Sequence, residues 1–554
     1  MFRKRTAQSS IFESSYLVPR KKAERLSKSW AEPFRAYALP LIDEEQFASL
    51  YCQDNGRPNQ PVQIVFGTLI LKEMFNLTDQ EALDQLEFNL QWQHALCLTP
   101  EEAHLCQKTL HNFRVRLLED DHGRRAFTET TDRILGVLGL RTERQRLDST
   151  HIVSNIAILT RLGLFCETLR VFLKALEREH PRLSKQVAGS LRGRYLHESG
   201  DATHYEDARR PMAPRRLSVC ARDVYRLHEL FGGTAAAQMD EYVLLERLLE
   251  EQCAVVARQV DPTDEDDDAG EGGVPVETKE PGEVGSNSLQ TPHDPDVTYS
   301  GHKGKGYEVQ VTETCHEENV VELITHVELT EACGSDADAT LAMLEELQAR
   351  GQQPAELIAD TSYGSGANAL EAECLGTELV SPVGGAAVEP EEPAAVGRAW
   401  TAADFQIDVT GQRPAVCPAG HESIGESEQP GSPYRIKLTF APGICEVCPE
   451  YGRCPARSHA AQEGYALLVN LVARNLEIRR RAEAGAEFAE RYAIRAGIEA
   501  TNSELKRKHG LGKLRVRGRP QVELAVYLKA LSCNFKRMVR VLLAEMTAPA
   551  AATG

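Results

Sequence analysis

Residues 490–510 read ERYAIRAGIEATNSELKRKHG, and the stretch ends in the basic segment KRKHGLGKLRVRGRP, residues 506–520. At about 100° per residue in an α-helix, Tyr492, Arg495, Glu499, Asn502 and Lys506 fall within roughly 80° of one another and make one polar stripe. Ile494, Ile498 and Leu505 are the main apolar residues of the other side. Such a stripe is also what a solvent-facing row of i,i+3 and i,i+4 ion pairs looks like, each pair worth a few tenths of a kcal/mol. The continuation argues against that bland alternative. A helix with one acid among Tyr, Arg and Lys, running into a cationic glycine-containing loop, suits a metal-binding carboxylate beside a nucleic-acid backbone.

Upstream, two acids stand at short strand-like runs. RLDSTHIV carries Asp148, and AELIAD ends at Asp360. Between them come YEVQVTETC and VVELITHVELT, two strand-like runs of a hairpin, and the helix-like ADATLAMLEELQAR; TELVSPV reads as one more strand. Strand, strand pair, helix, strand, strand and a late helix is the order of a ribonuclease H-like core. We therefore expect a mixed α/β fold with a five-stranded mixed sheet, acids on neighbouring strand ends, and a third acid on a packed helix.

Around that core the sequence divides as follows. Residues 1–140 read as a helical N-terminal domain, with a helix in PVQIVFGTLILKEMFNL and a capping-box start at Thr78 with Glu81. The arginines of a further helix near Lys108, in TLHNFRVRLL, either face phosphate or are simply solvated. Residues 141–160 hold the first core strand. A helical insertion spans 161–260, with helical pattern from Leu162 to about Glu179 and from Ser218 to about Val256. Residues 261–296 read as an acidic disordered linker, 297–383 as core strands and helix, 384–466 as a cysteine-bearing, zinc-ribbon-like insertion, and 467–545 as the catalytic helix, basic loop and closing helix.

The 554-residue chain has a net charge of −19, which at first argues against an anionic partner. Much of that excess lies in DPTDEDDDAGEGGVPVETKEPGE from Asp261, too polar and too rich in Gly and Pro to build a core. From Glu504 to Arg519 the balance reverses, with seven Lys or Arg against one Glu. Local field governs binding to a phosphate backbone, so the total charge does not exclude DNA. Neither a secretory signal nor a run of about 18 apolar residues is present, which makes a soluble, cytoplasmic, nucleoid-associated protein the expectation and a membrane partner not one.

Of fourteen cysteines, four gather in CPAGHES…GICEVCPEYGRCPA: Cys417, Cys445, Cys448 and Cys454. The CxxC spacing of Cys445 and Cys448 suits two thiolates on one tetrahedral ion, and a reducing compartment favours structural Zn²⁺ over disulfides. His421 and His459 are alternative ligands, and buried or redox-active thiols are the competing explanation.

Taken together, Tyr492, Arg495, Glu499 and Lys506, separated by two, three and six residues, resemble the Tyr-Arg-Glu-Lys signature of bacterial insertion-sequence DDE transposases. LDSTHI is similar to the first acidic motif of that family and IADTSYGSGAN to its second. DPDVTYSGHKGKGYEVQV resembles its second-strand region, RVRGRPQVELAVYLKALSCNFKRM its closing helix, and residues from about Ala36 to Leu118 its helical N-terminal domain. The resemblance implies that Asp148, Asp360 and Glu499 hold two Mg²⁺ (or Mn²⁺) ions, Asp148 bridging both, Asp360 on one and Glu499 on the other. It implies cleavage by water at the element's ends and then attack of the freed 3′-hydroxyl on target DNA. Arg495 and Lys506 would hold phosphates and Tyr492 would pack on a terminal sugar or base. The implied partners are double-stranded terminal inverted repeats and target DNA, bound by a homodimer. Lys513, Arg515 and Arg517 of the basic loop are further candidate DNA contacts. So are Lys303 and Lys305 in GHKGKGY, where an ordinary glycine-rich turn is the alternative. The competing functions are a nuclease on the same fold that cuts without joining, a DNA-binding protein descended from a transposase, and a zinc-dependent scaffold with a structural polar stripe.

Overall fold

The computed structural model describes residues 2–5, 18–52, 58–196, 213–255, 276–385, 398–409, 413–458 and 464–548. The acidic run from Asp261 to Asp268, His459 and the last six residues lie outside them.

Five strands carry the core: β1 (Arg144–Ile152), β2 (Gly304–Thr314), β3 (Ile324–Glu331), β4 (Glu356–Ile358) and β5 (Glu378–Val380). β1 pairs antiparallel with β2 and β2 with β3, whereas β1–β4 and β4–β5 are parallel. The order across the sheet is thus 3-2-1-4-5, the mixed ribonuclease H-like arrangement, with a three-residue strand, Thr298–Ser300, added beside the start of β2. Parallel neighbours need crossovers, and helices α1 (Ala339–Ala349) and α2 (Gly366–Cys374) supply them. Leu147 of β1 packs with Met343, Leu344 and Leu347 of α1 and Ala369 and Ala372 of α2 on one sheet face.

The other face is covered by the chain's closing helix, Arg519–Thr547, and by the N-terminal helices. Val309, Val311 and Val327 share one apolar cluster with Phe535, Met538 and Val539 and with Phe66, Leu69 and Ile70 of the helix Val62–Met74. That N-terminal helix is buried along almost its whole length, so it is a core element despite lying outside the sheet. The helix after it opens with the expected capping box, Thr78 accepting from the Glu81 amide and Glu81 reaching back to Thr78. The arginines of helix Gln107–Leu117 are already engaged. Arg114 grips Asp79 with two nitrogens at 2.7 and 2.5 Å, and Arg116 lies over the Tyr51 ring.

Three expectations need correction. The helical pattern from Ser218 to Val256 is two helices, Ala213–Phe231 and Asp240–Gln252, because Gly232 and Gly233 break the first and Cys253–Val255 turns to strand. The acidic segment is not a linker throughout. From Val276 onward it is packed: Val276–Thr278 pairs with Cys253–Val255, and Asp294 is fully buried, accepting from Ser154 Oγ and Tyr307 Oη at 2.6 Å each. The insertion holding the cysteines is a four-stranded antiparallel sheet whose last strand, Tyr465–Asn470, runs past residue 466. Among the described residues, no helix is long and apolar enough to cross a membrane.

Candidate active site

The position of two acids follows from strand register. β1 and β4 pair in parallel, with Arg146 opposite Ile358 as the last recorded pair. Two residues further along each chain come Asp148 and Asp360, so both leave neighbouring strands at the same level, about 4.8 Å being the ordinary strand spacing. Asp148 also sits opposite Val311 of β2, on the face covered by the late helix.

That late helix is not continuous. Helix Ala486–Ala493 passes through a 3-10 turn, Ile494–Ala496, into helix Gly497–Lys508. The stripe nevertheless meets the two aspartates. Arg495 Nη2 lies 3.0 Å from Asp148 Oδ1 and 3.7 Å from Asp360 Oδ2, and its Nη1 lies 3.9 Å from Glu499 Oε1. One guanidinium therefore stands within 4 Å of all three acids. Asn502 Nδ2 donates to the second oxygen of Asp148 at 3.0 Å. Burial is the largest influence on Asp148 and raises its pKa, Asp360 adds to the rise, and Arg495 opposes it. Burial works against the charge of Arg495, but Asp148 heads the neighbours that more than offset it, so its pKa is raised. Glu499 is the outlier in exposure, with 70% of its side chain accessible. Lys506 is half-buried, its pKa lowered by burial, with Glu308, Lys303 and Asp148 as the charges around it.

Behind these groups is a buried polar scaffold. Glu313 of β2, 0% exposed, takes Arg146 on one oxygen, with Nη2 at 2.6 Å, and Arg537 and Thr501 on the other at 3.1 and 2.5 Å. Arg146 also donates Nη1 to the carbonyl of Ile494 at 2.8 Å, which ties β1 to the turn carrying Arg495. Gly497 lies so close that a Cβ there would stand 2.0 Å from Arg146 Nη1. Its lack of a side chain lets the helix approach the strand.

The remaining candidates have mixed surroundings. Tyr492 stacks on Phe488, ring centroids 5.6 Å apart. Lys303 reaches Glu308 at 2.9 Å and Ser149 at 3.3 Å, beside the site, while Lys305 donates to the Leu159 carbonyl at 2.8 Å. The basic loop is laid along the end of β1: Val153 donates to Gly512, Leu514 to Val153 and Asn155 to Val516. Lys513, Arg515 and Arg517 alternate outward along this extended segment and are exposed. Arg515 is tied to the Asn76 and Leu77 carbonyls at 3.0 and 2.6 Å, joining the loop to the N-terminal helices.

Sequence reasoning noted Asn502 without selecting it, and missed Asp336. Ser362 Oγ donates to Asp360 and lies 3.3 Å from Asp336 Oδ2, so a fourth acid borders the site. Its only sequence signal was its place before helix α1. Among the described residues, the one His/Cys/Asp/Glu group with ligand atoms all within 4.8 Å of one another is Glu504, His509 and Cys533. Its carboxylate is already bonded to Arg537 Nε and Nη2, at 3.2 and 3.1 Å, which leaves a poor place for a cation. Asp148, Asp360 and Glu499 do not close to that spacing; they gather around Arg495 instead.

In the insertion, Cys417, Cys445, Cys448 and Cys454 line one recess with His421, Trp400, Phe405, Phe440 and Tyr451. The sulfurs share a recess without being drawn to 4.8 Å in threes. The His421 amide faces Cys417 Sγ at 3.4 Å, in a tight turn closed by Gly420 at φ +85°. Burial raises the Cys445 thiol to about 11, and Cys454, Cys417 and Cys448 add to it. Four converging thiols are a soft donor set of the kind that takes Zn²⁺.

Comparison with known families adds two matches. Residues 28–116 match the family described as Transposase domain (DUF772), and residues 416–539 match Transposase DDE domain. The second match takes in the four cysteines, Glu499, the basic loop and most of the closing helix; Asp148 and Asp360 precede it. No curated protein and no solved structure matches the chain. A ribonuclease H-like sheet, a helical N-terminal region and two separate transposase matches point the same way: the chain is similar to transposases over residues 28–116 and 416–539.

Proposed function

We propose that this chain binds the ends of an insertion sequence, cleaves a strand there in a metal-dependent step, and joins the freed 3′-hydroxyl to target DNA. The observation that carries the proposal is the convergence of Asp148 in mid-β1, Asp360 just past the end of β4 and Glu499 on a helix, around one guanidinium. Carboxylate oxygens are hard donors of the type Mg²⁺ or Mn²⁺ takes, and Asp148, Asp360 and Glu499 would hold the ions. Divalent cations so held would supply activation of the attacking oxygen and neutralisation of the leaving one. Asn502 orients Asp148 through its second oxygen. Arg495 and Lys506 bind phosphate, Lys506 from a half-buried position that favours an anionic partner. Tyr492, stiffened by Phe488, offers a ring face to a terminal base or sugar. Lys303 flanks the same cleft. Lys513, Arg515 and Arg517 would carry the duplex away along the extended loop, Arg515 from a position fixed by two carbonyls. Lys305, held at Leu159, fixes the start of β2 beside them.

In the insertion, the four cysteines would hold one structural Zn²⁺ and fix the antiparallel sheet. Pairing two DNA ends calls for two copies of the chain. Action on DNA in this way belongs to the cytoplasm and nucleoid.

The test is incubation of the purified chain with plasmid carrying the element's own flanking repeats and Mg²⁺ or Mn²⁺. Cleaved ends followed by joined products are expected, and Asp148→Asn, Asp360→Asn and Glu499→Gln should each abolish both. Cleavage without joining would reduce the activity to that of a nuclease. Full cleavage by any of the three variants would overturn the site.

A further inference from the structure

Asp148's two oxygens are engaged by donors of different kinds. Asn502 offers a neutral amide at 3.0 Å, and Arg495 a charged nitrogen at 3.0 Å. That same nitrogen, Nη2, is the one 3.7 Å from Asp360, so it stands between the two aspartates. Two carboxylates leaving adjacent strands repel one another unless a positive charge lies between them. Arg495 provides that charge.

The hold on Arg495 is loose compared with the structural arginines behind it. Arg146 places Nε on Glu313, Nη2 on Glu313 and Nη1 on a carbonyl. Arg537 likewise bonds through Nε, Nη1 and Nη2. Among the described residues, Arg495 bonds through Nη2 alone, its Nη1 is 3.9 Å from Glu499, and its Nε is buried without a partner. A buried unpaired guanidinium N–H is costly, and a phosphate oxygen is its natural acceptor. Asn502 Oδ1 is also buried without a partner among the described residues, so the site carries an unmet acceptor beside its unmet donor.

We propose that Arg495 is an internal counter-ion that occupies the cation's place between Asp148 and Asp360 while no DNA is bound. When the guanidinium turns to a DNA phosphate, the two aspartates are left facing each other and become a cation site. Metal binding and DNA binding are then coupled through one side chain, and linkage makes the coupling reciprocal. This rests on the acid-site assignment above.

The experiment measures Mn²⁺ affinity of the full chain by electron paramagnetic resonance of free Mn²⁺, without DNA and with a short duplex oligonucleotide. Arg495→Gln should bind Mn²⁺ at least about tenfold more tightly than the unaltered chain when DNA is absent. Arg495→Lys, which keeps the charge, should stay near the unaltered value. Duplex should tighten Mn²⁺ binding to the unaltered chain and do little to Arg495→Gln. Equal or weaker binding by Arg495→Gln, with Asp148→Asn losing the site, overturns the counter-ion role and leaves the acid site standing. Undiminished Mn²⁺ binding by Asp148→Asn overturns both. If Arg495→Gln does not fold, the unaltered chain alone decides: Mn²⁺ affinity unmoved by duplex overturns the coupling.

Discussion

Gly497→Ala is a small change with a calculable penalty. In an unobstructed helix interior, alanine in place of glycine gains about 1 kcal/mol. Here the new Cβ would lie 2.0 Å from Arg146 Nη1 and 2.4 Å from its Cζ. Arg146 cannot yield without loss, because its side chain is 8% exposed and bonded to Glu313 and the Ile494 carbonyl. Taking away one partner of a buried ion pair costs about 3–5 kcal/mol. Glu313 keeps Arg537 and Thr501, which argues for the lower end. Against the helix gain, the net loss is about 2 kcal/mol. Hydrogen exchange of the Gly497–Lys508 amides is the right assay, since a chain of several domains does not unfold as one unit. The variant should exchange there roughly 30-fold faster, tenfold corresponding to about 1.4 kcal/mol. Adding Arg146→Met should remove most of the alanine penalty, a coupling that a double-mutant cycle reads directly. Protection equal to or above that of the unaltered chain would mean that Arg146 yields to the new methyl group at no cost.

Three further outcomes are expected. His509 is fully buried, and burial, with Lys536 adding, lowers its pKa to about 4. The unfolded chain takes up that proton first, so stability is whole above the ordinary value of 6.5 and falls as pH drops toward about 4, by roughly 3 kcal/mol in all. Hydrogen exchange of the amides around His509 between neutral pH and pH 5 should show this loss, and His509→Asn should flatten it. Lys72 and Lys529 together hold the Glu73 carboxyl at about 2 against its burial; Lys529→Met leaves it Lys72 alone and should destabilise by about 3 kcal/mol, the low end for a broken buried pair. The double change with Glu73→Leu should recover most of that, read as hydrogen-exchange protection of the helix Val62–Met74. Metal analysis of the purified chain should find one zinc per molecule, lost in Cys445→Ser and Cys448→Ser and retained in Asp148→Asn.

What was legible in the sequence was local. β-Branched runs marked the strands, the Thr78–Glu81 spacing marked a helix start, and the 490–510 stripe marked the helix bearing Glu499. The depth of each stripe position was not legible. Asn502 and Glu499 share a stripe, yet one is buried and the other exposed, because β1 covers only one edge of it. Long-range polar pairing was also hidden. Arg146, Glu313 and Arg537 lie far apart in the chain, and no local pattern announces that they meet. The segment from Val276 to Asp296 misled because Pro, Gly and Asp give a linker's texture. Its order comes from partners elsewhere, Ser154 and Tyr307 holding Asp294. The charge of the basic loop was plain, but its docking on Asn76 and Leu77 depended on the N-terminal helices.

Whether the three acids hold the ions is decided by anomalous scattering from Mn²⁺ in crystals of the chain bound to a DNA end. Mn²⁺ peaks are expected within carboxylate coordination distance of Asp148, between it and Asp360 and toward Glu499, with the Arg495 guanidinium moved onto a phosphate. Peaks only at other sites, or Arg495 still seated between the two aspartates with DNA and Mn²⁺ present, would contradict that placement.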